Sequence, residues 1–193
     1  MQSKLIKVAN TIQPVLELIK QRWSARSFNK QAISQEEFHT IMEAATWAAS
    51  ANNEQPWMYY YAHNNTESFS KLWECLVDGN KPWTKSASVL MIACVRKTFE
   101  KTGKNNGSAE HDLGMASSQL LLQATSMNIY GHIMGGFDRI KAKELLNLDD
   151  NIVPVNMIAL GYLAEADQLE EPYRTRELTG RNRKKVEEFS FEL

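Results

Sequence analysis

Val89-Leu90-Met91-Ile92-Ala93-Cys94-Val95 is the stretch on which the fold turns. It is apolar at every position, so neither of its alternating faces can meet water, and such a strand belongs inside a sheet covered on both sides. Cys94 is read there as a small buried hydrophobe. Turn chemistry precedes the strand at Asp78-Gly79-Asn80-Lys81-Pro82; the polar stretch from Thr98 to Ser108 that follows has no apolar face and is a loop or a lid. Working outward, Trp57 to Ala62 reads as an aromatic-rich strand bounded by Pro56 and His63-Asn64-Asn65-Thr66, and Ile129 to Met134 and Val155 to Leu160 read as further strands.

Helices occupy the gaps. Ser34-Gln35-Glu36-Glu37 is a capping box, and Phe38, Ile41, Met42 and Ala45 follow at helical spacing, which predicts a helix over 35–49. Pro14 opens another over 14–22, with Val15, Leu18 and Ile19 on one face. Helix is also predicted over 67–77, over 109–128 with apolar residues on more than one face, and from an Asp138 N-cap through Leu146. Helices outnumber strands without alternating strictly with them, so the fold class is α+β. Phe189-Ser190-Phe191-Glu192-Leu193 alternates and reads as a strand added to a sheet edge, of this chain or of another subunit.

A length of 193 residues fits one domain, 1–193, with a core that needs no disulfide or metal. Lys plus Arg number 22 against 23 Asp plus Glu, a net charge of −1, which argues against a surface built to coat nucleic acid or an anionic membrane; any anion site is local. Cys75 and Cys94 form no CxxC pair, and the four His are far apart in sequence, so no metal is expected. The N-terminal residues show no apolar core of a signal peptide and no stretch is long enough to span a bilayer, which sets the cytoplasm as the expected location. GxxxxGK[ST], GxGxxG, GxSxG and HExxH patterns are missing.

Three segments can carry chemistry. Arg22-Trp23-Ser24-Ala25-Arg26-Ser27-Phe28 concentrates guanidiniums and hydroxyls that suit a phosphate, and Arg181-Asn182-Arg183 could add donors from the tail. Ser50-Ala51-Asn52-Asn53-Glu54-Gln55-Pro56-Trp57 is amide-rich and can read a heterocycle displaying donors and acceptors. Each also has an ordinary explanation: a solvated loop, a charged face, an Asn-rich turn. Convergence in space decides between them.

These segments, the tail reading Arg-x-Arg-Lys, occur together with three others in register: an Asp-led helix from Asp112, Gly-Gly-Phe-Asp at 135–138, and Val-Pro at 153–154 leading to Leu-Gly-Tyr at 160–162. In this combination the chain resembles the nitroreductase family of flavin mononucleotide (FMN) oxidoreductases. The resemblance implies a small mixed, mainly antiparallel sheet wrapped by helices, and a homodimer with residues 173–193 exchanged onto the partner. It places Arg22, Trp23, Ser24 and Arg26 at the FMN phosphate and pyrimidine side, with Arg181 and Arg183 closing on the phosphate. Ser50, Asn53 and Gln55 would come from the partner, Asn80 would set an amide against the ring's polar edge, and Met134, Gly135 and Gly136 would pass their backbone close to flavin N5. The implied reaction is ping-pong: NADPH or NADH reduces the flavin and leaves, and a nitroaromatic, quinone or related acceptor takes the electrons. Dehalogenation or ring oxidation on the same fold, or flavin sensing with little turnover, are the alternatives. Trp23, Ala49 and Ala87-Ser88 depart from the common family pattern; none of these removes a phosphate donor, and Trp23 and Ala49 bear on substrate preference.

Overall fold

The computed structural model describes residues 1–193. In chain order the elements are α1 (Gln2–Lys7), α2 (Glu17–Gln21), α3 (Gln35–Thr46), β1 (Trp57–His63), α4 (Glu67–Glu74), α5 (Lys81–Thr84), β2 (Val89–Arg96), α6 (Ala109–Ser126), β3 (Ile129–Met134), α7 (Arg139–Leu145), β4 (Ile152–Tyr162) and α8 (Tyr173–Leu178). The strands form one sheet in the order β1-β2-β4-β3, and every pair is antiparallel. A mixed, mainly antiparallel sheet is what the resemblance implies; among these four strands every pair is antiparallel and no parallel pair forms.

β2 lies inside the sheet, as its composition requires, and Val89 through Val95 are all completely buried. Its alternation divides the interior into two cores. Val89, Met91, Ala93 and Val95 pack with Phe38 and Ile41 of α3 and with Leu113 and Leu120 of α6. Leu90, Ile92 and Cys94 face the other way, into a core shared with Trp23, Phe28, Trp83 and Tyr130. The second core lies under the candidate site. Pro154 can donate no ladder hydrogen bond, and the β2–β4 register shifts where Cys94 meets it; β3 pairs with β4 only from Met157 to Tyr162, so Pro154 has a single neighbouring strand.

The capping box forms as read: Ser34 Oγ accepts from Glu37 N at 3.2 Å and Glu37 Oε2 accepts from Ser34 N at 2.8 Å. Asp138 caps α7 by accepting from Ile140 N and Lys141 N, both at 3.0 Å. Other expectations need correction. The first predicted helix begins at Glu17 rather than Pro14, and Leu18 and Ile19 remain exposed, so its apolar face finds no cover within one chain. α6 buries one face, from Ala109 through Leu113, Ala116, Leu120 and Ala124, while Met115 and Leu122 on its other side are only half-buried. Residues 98–108 form a tied loop rather than a free one: Phe99 N donates to Lys104 O at 2.8 Å, Asn106 N to Lys97 O at 2.7 Å, and Glu100 N to the Glu54 carboxylate. Phe189–Leu193 is not a strand here; Phe189, Phe191 and Leu193 all stand in water, since alternation makes a strand only where an edge accepts it.

Candidate functional site

The segment after α2 is extended, and extended backbone sends successive side chains to opposite sides. Trp23, Ala25 and Ser27 are buried, while Arg22 and Arg26 are half-buried and Ser24 is exposed. The Arg-x-Ser-x-Arg spacing thus places its three polar side chains on the outer face and its intervening residues in the core. The inner residues hold the segment down. Ala164 N donates to Ser27 O at 2.9 Å and Ser27 Oγ to Glu165 O at 2.6 Å, which ties the segment to the chain leaving β4. Trp23 stacks at a tilt on Tyr130, with ring centroids 4.4 Å apart. Ala25 O accepts from His132 Nδ1 at 3.0 Å, which makes Nδ1 the protonated nitrogen of a neutral ring. Burial, and secondarily the charge of Arg26, push the His132 imidazole down to about 4.

Tyr130 and His132 are alternate residues of β3, and two positions further along the strand ends at Met134, next to Gly135-Gly136. One strand therefore supports both the arginine-bearing segment and the glycine pair. The Met134 side chain is buried in the core, so only its backbone is available at the surface. The two glycines differ. A Cβ at Gly136 would lie 2.9 Å from Asn80 Nδ2 and 3.0 Å from Val77 Cγ2, whereas one at Gly135 would meet nothing within 4 Å. A side chain at Gly136 would press on Asn80 and Val77, and Asn80 Nδ2 donates to Gly136 O at 3.0 Å. Gly135 faces open space. Trp83 completes the floor, with its ring 4.6 Å from that of His132 and the Arg26 guanidinium carbon 5.8 Å from its centroid.

The charges come from both ends of the chain. Burial holds the Arg22 guanidinium below its ordinary value, and the charge of Arg183 lowers it further. Arg181 is lowered first by burial and then by Arg22 and Arg183. None of Arg22, Arg26, Arg181 or Arg183 forms an ion pair with a carboxylate. Arg181 also braces the backbone, because its Nη1 donates to Lys7 O at 3.0 Å and Lys20 O at 2.8 Å, clasping α1 to the end of α2 beside Arg22. Arg22, Arg181 and Arg183 are thus near enough to lower one another, and no carboxylate pairs with any of them.

Ser50, Asn53 and Gln55 lie elsewhere. Asp112, almost fully buried near the start of α6, accepts from Ala51 N at 3.0 Å, and Ser50 Oγ accepts from Gln55 N at 3.0 Å. Asn52, Asn53 and Gln55 have φ of 55°, 55° and 51°, left-handed values that cost most at Gln55 because Asn tolerates them better. The segment is held in an unusual shape, yet it shares no hydrogen bond or ion pair with Arg22–Arg26 or with the tail. A cleft of about 490 Å³, lined by Tyr59, Tyr60, Tyr61 and Leu145 among others, is a separate feature that includes none of these residues.

Sequence reasoning did not single out four supporting residues: His132, Trp83, Glu177 and Lys7. Glu177 is completely buried, with Oε2 accepting from Arg26 N at 3.1 Å and Oε1 from Trp23 Nε1 at 3.4 Å. Nothing in the charged stretch Tyr173-Arg174-Thr175-Arg176-Glu177 marks it out.

Fold and side-chain pattern together define an α+β protein with unpaired arginines gathered from both ends of the chain and a glycine pair at the end of β3. The chain belongs to the nitroreductase family, whose model matches residues 19–162. It is 31% identical, over 78% of both chains, to a provisionally named NADH dehydrogenase/NAD(P)H nitroreductase of Methanothermobacter thermautotrophicus. A crystal structure described as an oxidoreductase containing FMN superposes with a TM-score of 0.90 at 32% identity, covering 95% of this chain and 93% of that one. A nitroreductase from Desulfovibrio desulfuricans solved with FMN shares the fold, with a TM-score of 0.74 at 23% identity over 95% of this chain and 98% of the other.

Proposed function

We propose that this protein is an FMN-dependent oxidoreductase. It takes electrons from NADH or NADPH and passes them to nitroaromatics, quinones or similar electron-poor acceptors, and it works as a homodimer in which the partner supplies Ser50, Asn53 and Gln55 to each flavin. The observation that carries the reading is the group Arg22, Arg181 and Arg183, gathered from the two ends of the chain with no carboxylate paired to any of them.

The residues present suit FMN. A phosphate offers several acceptor oxygens to forked guanidiniums and to the exposed Ser24 hydroxyl, and the open side of Gly135 leaves room for a ring against the backbone. The chemistry supplied by bound FMN is hydride acceptance at N5 and onward delivery of electrons. The protein's own groups bind and orient. Arg22, Arg26 and Arg183 would hold the phosphate and the pyrimidine side of the flavin, with the exposed Ser24 hydroxyl beside them. Asn80, whose Nδ2 is committed to Gly136 O, keeps its carbonyl oxygen for an N–H of the ring edge. The reading is a ping-pong scheme, in which the oxidised nicotinamide would leave before the acceptor binds.

Purified protein passed through a desalting column is expected to keep a flavin absorption spectrum that NADH or NADPH bleaches under anaerobic conditions and an added quinone restores. Protein that stays colourless after FMN addition and desalting would overturn the proposal.

A further inference from the structure

Helix α8 has its burial inverted. Of its six residues, Glu177 is the buried one, while Tyr173 and Leu178 are only half-covered and Arg174, Thr175 and Arg176 are exposed. Taking a carboxylate out of water is expensive unless hydrogen bonds and opposite charges compensate, so a helix gains nothing in stability by turning this face inward without a partner to meet. Both hydrogen bonds that Glu177 accepts come from the arginine-bearing segment: the main-chain N–H of Arg26 at 3.1 Å and the indole N–H of Trp23 at 3.4 Å. Burial pushes the Glu177 carboxyl above its ordinary value, and these two hydrogen bonds, with the charges of Lys7 and Arg26, work against that rise. Lys7 is itself nearly buried and donates Nζ to Arg176 O at 2.7 Å. Arg22, Ser24 and Arg26 can face one phosphate only if the backbone between them is held with Trp23 and Ala25 turned inward. His132 grips Ala25, and Glu177 grips Trp23 and Arg26.

We infer that Glu177 is a positioning residue for the phosphate of the flavin, acting through the backbone of Arg26 and the indole of Trp23; this rests on the FMN reading proposed above. Glu177 lies at the end of the same helix that leads to Arg181 and Arg183, so it ties the first phosphate-facing segment to the element that delivers the second.

FMN and riboflavin differ only by the phosphate, and a comparison of the two separates positioning from general support of the fold. Flavin fluorescence titrations of the full chain are run with both ligands on wild type, Glu177→Gln and Trp23→Phe. Gln keeps the size of the side chain but loses the charge and one acceptor; Phe removes the indole donor together with part of the ring packed on Tyr130, a loss the riboflavin arm registers, and serves if Glu177→Gln does not fold. Either variant is expected to weaken FMN about tenfold or more while riboflavin stays within about twofold of wild type. Equal loss of both ligands, or FMN affinity unchanged in a folded variant, overturns the inference and leaves the FMN reading standing. A wild-type chain that binds neither ligand overturns the FMN reading and this inference together.

Discussion

A methyl group tests the two neighbouring glycines in opposite ways. Gly136→Ala would drive a Cβ against Asn80 Nδ2 and Val77 Cγ2, with Gly136 O already tied to Asn80. It is expected to destabilise the fold by about 1–3 kcal/mol, read as a fall of a few degrees in Tm. Gly135→Ala meets no protein atom and should leave Tm unchanged while lowering the flavin retained after desalting. The sequence marked the pair as a turn; which glycine served the fold and which faced outward depended on Asn80, far away in the chain.

His132 carries a pH dependence at the same scale. Its imidazole is neutral in the fold, pushed down to about 4, whereas in the unfolded chain it titrates near its ordinary 6.5. Above pH 6.5 both states are neutral there and the group adds no slope. As pH falls from 6.5 towards 4 the unfolded chain takes up a proton that the fold refuses, and stability falls progressively, by as much as about 3 kcal/mol. Denaturant titrations at pH 7 and pH 4.5 should show that loss, and His132→Gln, which retains an N–H for Ala25 O, should reduce it.

Elements with strong local signals were legible. α3 announces itself by a capping box and an apolar stripe, because both depend on residues within a few positions of each other. Ser34→Ala removes the oxygen that accepts from Glu37 N and should cost about 1 kcal/mol in chemical denaturation without touching flavin binding. β2 was legible for the same reason, since a run with two apolar faces admits only an interior place. Short helices were not. α1, α5 and α8 are four to six residues long, too short to form without tertiary contacts, and their sequences carry no stripe. The extended segment 22–28 falls between these cases. Its alternation is visible once Trp23 and Ala25 are known to be inside, but a polar-apolar alternation that includes two arginines reads equally as a loop.

At the scale of the molecule the candidate site is divided. Arg22 and the tail arginines stand together and Asn80 holds the glycine pair, while Ser50, Asn53 and Gln55 share no hydrogen bond with either group. The chain also leaves Ile12, Leu16, Leu18, Ile19 and Trp47 in water, and Phe189 and Phe191 stand exposed at its end. On the homodimer proposed above, both features belong to surfaces that the second chain covers. Light scattering on the purified chain is expected to give twice 22.0 kDa, with one flavin per chain. Arg22→Ala should leave that mass unchanged and weaken FMN by roughly 1.5–3 kcal/mol, seen in a fluorescence titration as about a tenfold to hundredfold rise in Kd.

The sequence by itself determined the α+β class, the interior strand, the best helix and the short inventory of residues able to meet a phosphate, because periodicity, capping and side-chain chemistry are local properties. Only the tertiary structure decided which arginines stand together, which glycine is open, and that a carboxylate 151 positions away from Arg26 would hold its backbone. The reason is physical: whether a polar group may be buried depends on the partner it finds, and that partner is chosen by the fold rather than by neighbours along the chain.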